Sequence, residues 1–206
     1  KVTIDNPLFL NLQGHRPVAL YGGKQTAAAI DDKGSAIIIT RAIFEASNSG
    51  TPFFIPMPEG EKAVYLACGD DLVLALSASG RVFSSMAMDA NDRSGFTEFV
   101  EVPELRDISI SQISGTSTYF FAVTKDNRVF VCGSNASGRI GEMMKDDKLP
   151  VIVDDAFENR KPKLDPPFNQ FREIDIFKPN KIVAAYAGCL HSLFLTDKGG
   201  ILSCGD

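Results

Sequence analysis

Two histidines, His15 and His191, and four cysteines, Cys68, Cys132, Cys189 and Cys204, are the residues of this chain best suited to metal or nucleophilic chemistry. Their spacing supports neither. No two cysteines form a C-x-x-C pair, and two isolated histidines do not complete a four-ligand zinc centre. A catalytic His191 would need a nucleophile or carboxylate partner, and no motif supplies one. The stretch Gly133 to Gly141 is rich in glycine, but it lacks the G-K-[S/T] ending and the following helical pattern of a phosphate loop. Asn135-Ala136-Ser137 has the form of a glycosylation sequon, yet it sits where Asn and Gly are needed for a turn. No catalytic residue, metal or cofactor is therefore expected. Every cysteine instead adjoins a glycine or lies one residue from one, which suits repeated core slots for a small apolar side chain.

The elements around these residues repeat. Four segments share one pattern, beginning at Gly23, Gly69, Gly115 and Gly188 and closing on Gly34, Gly80, Asn127 and Gly199. Each opens on glycine, continues through five to seven mostly apolar or β-forming residues and reaches a polar turn. Gly or Asn ends the turn, as a tight hairpin with positive φ requires, and a second apolar run follows at once. The pattern predicts a β-hairpin written four times. The third copy has one extra residue after Gly115, which reads as a bulge. A further strand precedes each hairpin: Val18 to Leu20, Ala63 to Leu66, Ile108 to Ile110 with Ile113, and Ile182 to Ala184. Before that lies a fourth candidate: Leu8 to Leu10, Phe53 to Ile55, Phe96 to Val102, and Phe168 to Ile174. Four short strands per unit make one propeller blade. The unit boundaries read 8–40, 53–86, 96–141 and 168–206, within one domain spanning 1–206. Turn-to-turn spacings are 46 and 47 residues, then 72, so about 25 extra residues sit in an insertion at 142–167.

The second half carries a family resemblance. Cys132-Gly133-Ser134-Asn135-Ala136-Ser137-Gly138-Arg139-Ile140-Gly141 resembles the W-G-x-N-x-x-G-Q-L-G signature of the regulator of chromosome condensation repeat family. Cys132 stands for the Trp, Arg139 for the Gln and Ile140 for the Leu. The segment from Gly188 through His191 and Ser192 to Thr196 and Gly199 is similar to the family's G-x-x-H-S-x-x-L-T-x-x-G. Ser203-Cys204-Gly205 begins another signature. The first two units are degenerate. The resemblance implies an all-β, seven-bladed propeller, of which this chain holds about four blades. It gives Gly69, Gly80, Gly133, Asn135, Gly138, Gly141, Gly188, His191, Gly199 and Gly205 structural roles in the repeat, with His191 packing and hydrogen-bonding in its hairpin. An open stack exposes a β edge and half a core. The rest of the ring is expected from the same polypeptide or another chain, and the stop within a signature at Asp206 reads as truncation of a longer propeller.

Function follows from what is present. Net charge is −5, so no global field draws the chain to nucleic acid or anionic lipid. No apolar run reaches the length of a membrane span. An intracellular protein, cytoplasmic or nuclear, is expected. The insertion presents mixed charges, Lys145, Asp146, Asp147, Lys148, Asp154, Asp155, Arg160 and Lys161, on a loop long enough to serve a partner. Shorter polar loops at Ala46 to Gly50 and Asp89 to Gly95, with Asp92 and Arg93, could line the same face. The leading expectation is a non-catalytic protein-interaction module. The alternative comes from the resemblance: the family's founding member is a guanine-nucleotide exchange factor for the small GTPase Ran, which makes a small GTPase the alternative partner.

Overall fold

A computed structural model of the chain describes residues 10–40, 51–88, 95–141 and 170–206. Within them the hairpin pattern appears four times as antiparallel sheets in simple up-and-down order. The first sheet comprises β1 (Pro17–Gly22), β2 (Thr26–Asp31), β3 (Ala36–Thr40) and β4 (Phe53–Ile55). The second comprises β5 (Ala63–Cys68), β6 (Leu72–Ser77), β7 (Val82–Met86) and β8 (Val100–Glu101). The third comprises β9 (Ile110–Gly115), β10 (Tyr119–Thr124), β11 (Val129–Gly133) and β12 (Arg172–Ile174). The fourth has β13 (Ile182–Ala187), β14 (His191–Thr196) and β15 (Ile201–Gly205).

One turn chemistry builds every central hairpin. The last residue of the second strand is Asp31, Ser77, Thr124 or Thr196, and its side-chain oxygen accepts the amide of the residue four places on. Those bonds are 2.8 Å to Ser35, 3.2 Å to Arg81, 2.9 Å to Arg128 and 2.9 Å to Gly200. The intervening Gly34, Gly80, Asn127 and Gly199 all take positive φ and donate back to the same residue's carbonyl. Short oxygen-bearing side chains favour this local bond, and Gly or Asn tolerates the left-handed step.

The strands between the turns are apolar on both faces, as a sheet sandwiched on two sides requires. In β6, Val73 and Ala75 face the first sheet while Leu74 and Leu76 face the third. In β10, Phe120 and Ala122 face the second sheet while Tyr119, Phe121 and Val123 face the fourth. Three continuous cores result, one at each junction between neighbouring sheets. The first strands pack on one another in succession, β1 on β5, β5 on β9 and β9 on β13. They therefore share the inner side of the stack, and the sheets fan outward from it as propeller blades.

The structure corrects two expectations. In the third hairpin the residue equivalent to Gly23, Gly69 and Gly188 is Thr116, not Gly115: Thr116 donates to the Tyr119 carbonyl as those glycines donate to Thr26, Leu72 and His191. Counted from Thr116 the third unit has the same length as the others, so no extra residue follows. The bulge lies earlier and in all four sheets, where the register slips between Pro17 and Ala19, Ala63 and Tyr65, Ile110 and Gln112, and Ile182 and Ala184.

The second correction concerns the fourth strand. Phe53–Ile55 pairs with β3, Val100–Glu101 with β7 and Arg172–Ile174 with β11, so each closes the preceding sheet rather than opening the next. The blade boundaries thus fall one strand away from the units 53–86, 96–141 and 168–206. The links are short: only seven residues lie between Ile55 and Ala63 along the chain, yet the Pro58–Gly60 and Pro103–Leu105 3₁₀ turns carry it to the next sheet. The long β3–β4, β7–β8 and β11–β12 connections return instead to satisfy the open edge of the third strand. In the second sheet Phe96 makes only an isolated bridge to Ala87. The Leu8 and Phe9 part of the first candidate strand lies outside the described residues.

Candidate partner-binding surfaces

The bulge in each first strand aims one side chain off the ladder. The skipped residues are Val18, Val64, Ser111 and Val183, and all are exposed on the inner side. Tyr65 and Tyr186 are exposed beside them. Tyr21 meets Tyr65 edge to face at 4.8 Å between ring centroids and donates its hydroxyl to the Val64 carbonyl at 3.3 Å. Burial first, then the neighbouring Tyr186 and Cys68, pushes the Tyr65 hydroxyl above its ordinary pKa. Burial, then Tyr65 and Cys68, does the same for Tyr21. Gln112 bonds both backbone groups of Ala185, at 2.8 and 3.1 Å, and so ties β9 to β13. None of the four first strands contains a charged residue. The inner wall is apolar, lined with neutral hydroxyls, and exposed.

The two ends of the stack form a second surface. Leu20 is 77% exposed, whereas its equivalents Leu66, Ile113 and Ala185 are buried against the preceding sheet. At the other end Leu193, Leu195 and Ile201 are 41%, 37% and 69% exposed. Leu74 and Phe121, Leu76 and Val123, and Val82 and Val129 hold the matching places in sheets two and three, and every one is buried. The fourth sheet therefore presents a core-type face with nothing beyond it among the described residues.

The signature segment locks the third sheet to the fourth. Gly133 (φ 110°) and Gly205 (φ 96°) hold equivalent places at the ends of β11 and β15. An added Cβ would meet the Thr118 carbonyl at 2.2 Å or the Leu190 carbonyl at 2.1 Å, so only glycine fits. Asn135 accepts the Ile140 amide at 2.9 Å, and the chain turns through Gly138 to Gly141. Arg139 is buried, its guanidinium over the Tyr119 ring and donating to Thr118 and to the Cys189 carbonyl. Cys204 and Ser192 both donate to the Arg139 carbonyl. Sequence reasoning read Arg139 only as a departure from the signature; its bonds across the junction were not legible there. Gly69 approaches Phe120, Gly80 and Gly199 sit in the turns, and Gly188 donates to His191. His191 itself is exposed, and its carbonyl rather than its imidazole accepts from Gly188 and Tyr119. Its ring lies at the position of Tyr119, which in the sheet before reaches across to the next one.

A second repeated device sits on the outer strands. Arg81 pairs with Glu101 through two bonds of 2.8 and 3.0 Å and lies over Phe83. Arg128 pairs with Glu173 at 3.3 Å and lies over Phe130. In each case the glutamate is the direct partner of that phenylalanine across the ladder. Glu101 is held below its ordinary pKa, chiefly by Arg81.

Lys145, Asp146, Asp147, Lys148, Asp154, Asp155, Arg160 and Lys161, with Asp89, Asp92 and Arg93, lie outside the described residues. Among the described residues no group of three or more His, Cys, Asp or Glu is placed to hold a metal ion. No helix among them is long and apolar enough to cross a membrane.

No protein-family model and no curated protein sequence matches the chain. Solved structures do. Human WBSCR16 superposes with a TM-score of 0.65 at 16% identity, covering 94% of this chain and 48% of that one. Prp20p from Saccharomyces cerevisiae gives 0.65 at 18%, covering 92% and 44%. Yeast RCC1 (Prp20), solved with Kap60 bound to it, gives 0.64 at 18%, covering 92% and 43%. The fold is that of a divergent, incomplete propeller of the regulator of chromosome condensation type, and the chain spans less than half the length of these structures.

Proposed function

We propose that the chain serves as a non-catalytic protein-interaction module, part of a larger propeller. The observation that carries this is the inner wall, where Val18, Val64, Tyr65, Val183 and Tyr186 stand exposed on strands without a charge. Tyrosines on a rigid frame supply large contact area at small entropic cost, with a hydroxyl for orientation. The mixed charges of the 142–167 insertion are the polar complement in this reading. The insertion joins β11 to β12 directly after the signature segment, and its eight charged residues are proposed as partner contacts.

A second reading has one specific support. Prp20p, which the chain resembles in fold, is described as binding Gsp1p and histones. In this reading the partner is a small GTPase whose nucleotide release is accelerated. The two readings separate in one experiment. The chain is immobilised as bait alongside a Tyr65→Ser/Tyr186→Ser variant and a variant with Lys145, Lys148, Arg160 and Lys161 changed to Glu. Release of labelled GDP from a panel of purified small GTPases is followed in parallel. A partner retained by the parent and lost from either variant, without faster GDP release, supports the interaction module. Accelerated release supports exchange. The same proteins retained by all three baits overturns both placements.

A further inference from the structure

The inner wall is bordered by charge at the entry to its strands. The residue before each first strand holds one place in the repeat, since its carbonyl accepts the amide that opens the hairpin turn of the same sheet. Asp32 donates to Arg16 at 2.9 Å, and Ala78 to Lys62, Lys125 to Ser109 and Asp197 to Lys181 at 3.0 Å each. Three of these four places carry a cation, and all four residues are exposed. Each stands two residues before the skipped side chain of the bulge, Val18, Val64, Ser111 or Val183. Since β1, β5, β9 and β13 pack in succession, Arg16, Lys62 and Lys181 stand along one rim of the wall.

Among the described residues none of these three cations is in an ion pair, whereas Arg81, Arg106, Arg128 and Lys178 are. The turns beside the rim balance internally, as Asp32-Lys33, Lys125-Asp126 and Asp197-Lys198. Glu61, next to Lys62, accepts from Ser79 at 2.8 Å and pairs with Arg81 at 3.4 Å. Asp107 precedes the one uncharged place, Ser109, by two residues. The Gly34 turn hems in the stem of Lys62, for an added Cβ there would lie 2.7 Å from the Lys62 Cβ. The rim is a local surplus of positive charge on a chain whose net charge is −5.

We propose that this rim and the wall beside it bind an acidic segment of a partner polypeptide, with carboxylates at Arg16, Lys62 and Lys181 and apolar side chains on Val64 and Tyr65. The inference rests on the interaction-module reading and names the chemistry of the partner. Exposed charges are screened beyond about 10 Å at moderate salt, so a short acidic segment gains from the rim without meeting the acidic remainder of the surface. A long polyanion such as nucleic acid meets both, and the net charge opposes it. The uncharged strands supply the apolar half of the contact, and the Tyr65 hydroxyl orients it.

The test uses the full chain and two labelled peptides, Glu-Glu-Phe-Leu-Glu-Glu and Gln-Gln-Phe-Leu-Gln-Gln, followed by fluorescence anisotropy. The acidic peptide should bind saturably, exceed the glutamine peptide about tenfold in affinity, and weaken as salt is raised. Lys62→Glu should weaken its binding about tenfold, and Arg16→Glu/Lys62→Glu/Lys181→Glu should abolish it. Lys24 is exposed beyond the other end of β1, and Lys24→Glu, the same change of charge, should alter affinity by under about twofold. Equal binding of both peptides, no binding, equal losses from Lys24→Glu and Lys62→Glu, or tighter binding of a thymidine oligonucleotide than of the acidic peptide overturns the proposal. In the bait experiment, a partner held equally by the parent and by the triple rim variant overturns it as well, while the interaction module stands. No partner held by any bait overturns the module itself.

Discussion

The hydroxyl of Tyr119 in the third sheet lies 2.9 Å from Oγ of Ser192 in the fourth, at a junction where both side chains are fully buried. The same phenol reaches the carbonyls of His191 at 2.7 Å and Gly188 at 2.9 Å, while Ser192 donates to Arg139 at 2.6 Å. One ring thus spans an apolar core and joins two sheets through a polar end. Tyr119→Phe keeps the ring and removes the bonds. It should lower the unfolding free energy by about 1–2 kcal/mol, measured by urea denaturation at neutral pH. Burial, the largest influence, raises the Tyr119 pKa above 10.0 despite the lowering hydrogen bond from Ser192. The neutral phenol is the folded form. Its stabilisation is full below the unfolded value and is lost as pH rises through the folded one, so the parent should weaken in alkali more than Tyr119→Phe.

The apolar side of that junction makes a larger demand. Phe121 packs edge to face on both Tyr119 and Phe194 and is wholly buried. Phe121→Ala leaves a cavity that strands on both sides cannot collapse, and should destabilise by about 4 kcal/mol in the same denaturation assay.

The open end predicts a contrast between equivalent positions. Val82→Ser at a closed junction should cost about 2 kcal/mol or more, since it trades buried aliphatic atoms for a hydroxyl. Ile201→Ser occupies the same place in the fourth sheet but is 69% exposed, and should change the stability of the chain by under about 0.5 kcal/mol. Equal losses at the two sites would mean that the end of the stack is already covered.

The first turn should respond to acid. Asp31 is buried, which by itself raises its pKa, but the His15 side chain and the Ser35 and Lys33 amides together lower it below the ordinary carboxylate value. A lowered folded pKa stabilises the native state above the unfolded carboxylate value, about 3.9, and that contribution fades as pH falls through the folded value. Asp31→Asn should therefore cost about 2 kcal/mol at neutral pH, with the difference from the parent shrinking below about pH 4. His15 also stacks on Phe54 at 4.2 Å, so His15→Ala should loosen the pairing of β4, visible as faster amide exchange at Phe53.

The cysteines should sort by environment. Burial pushes the Cys68 thiol to about 12 and, with a smaller contribution from Glu104, the Cys132 thiol to about 11. Cys189 is exposed. A thiol reagent at pH 8 should modify Cys189 quickly in the native chain and reach Cys68 and Cys132 only on unfolding, as read by mass spectrometry.

Much of this architecture was legible because its causes are local. A polar oxygen followed three residues later by Gly or Asn makes the turn from within one short stretch, so Gly34, Gly80, Asn127 and Gly199 mark the hairpins in the sequence itself. What the residues could not announce was partnership at a distance. Phe53–Ile55 is near β5 along the chain, yet it pairs with β3 on the side away from β2. Arg139 stood out as a deviation, and only the folded junction shows it bonded to Thr118 and Cys189. Exposure was the least readable property of all. Leu193 and Leu74 are the same residue type at the same place in the repeat, and only the presence or absence of a neighbouring sheet makes one a core residue and the other a surface.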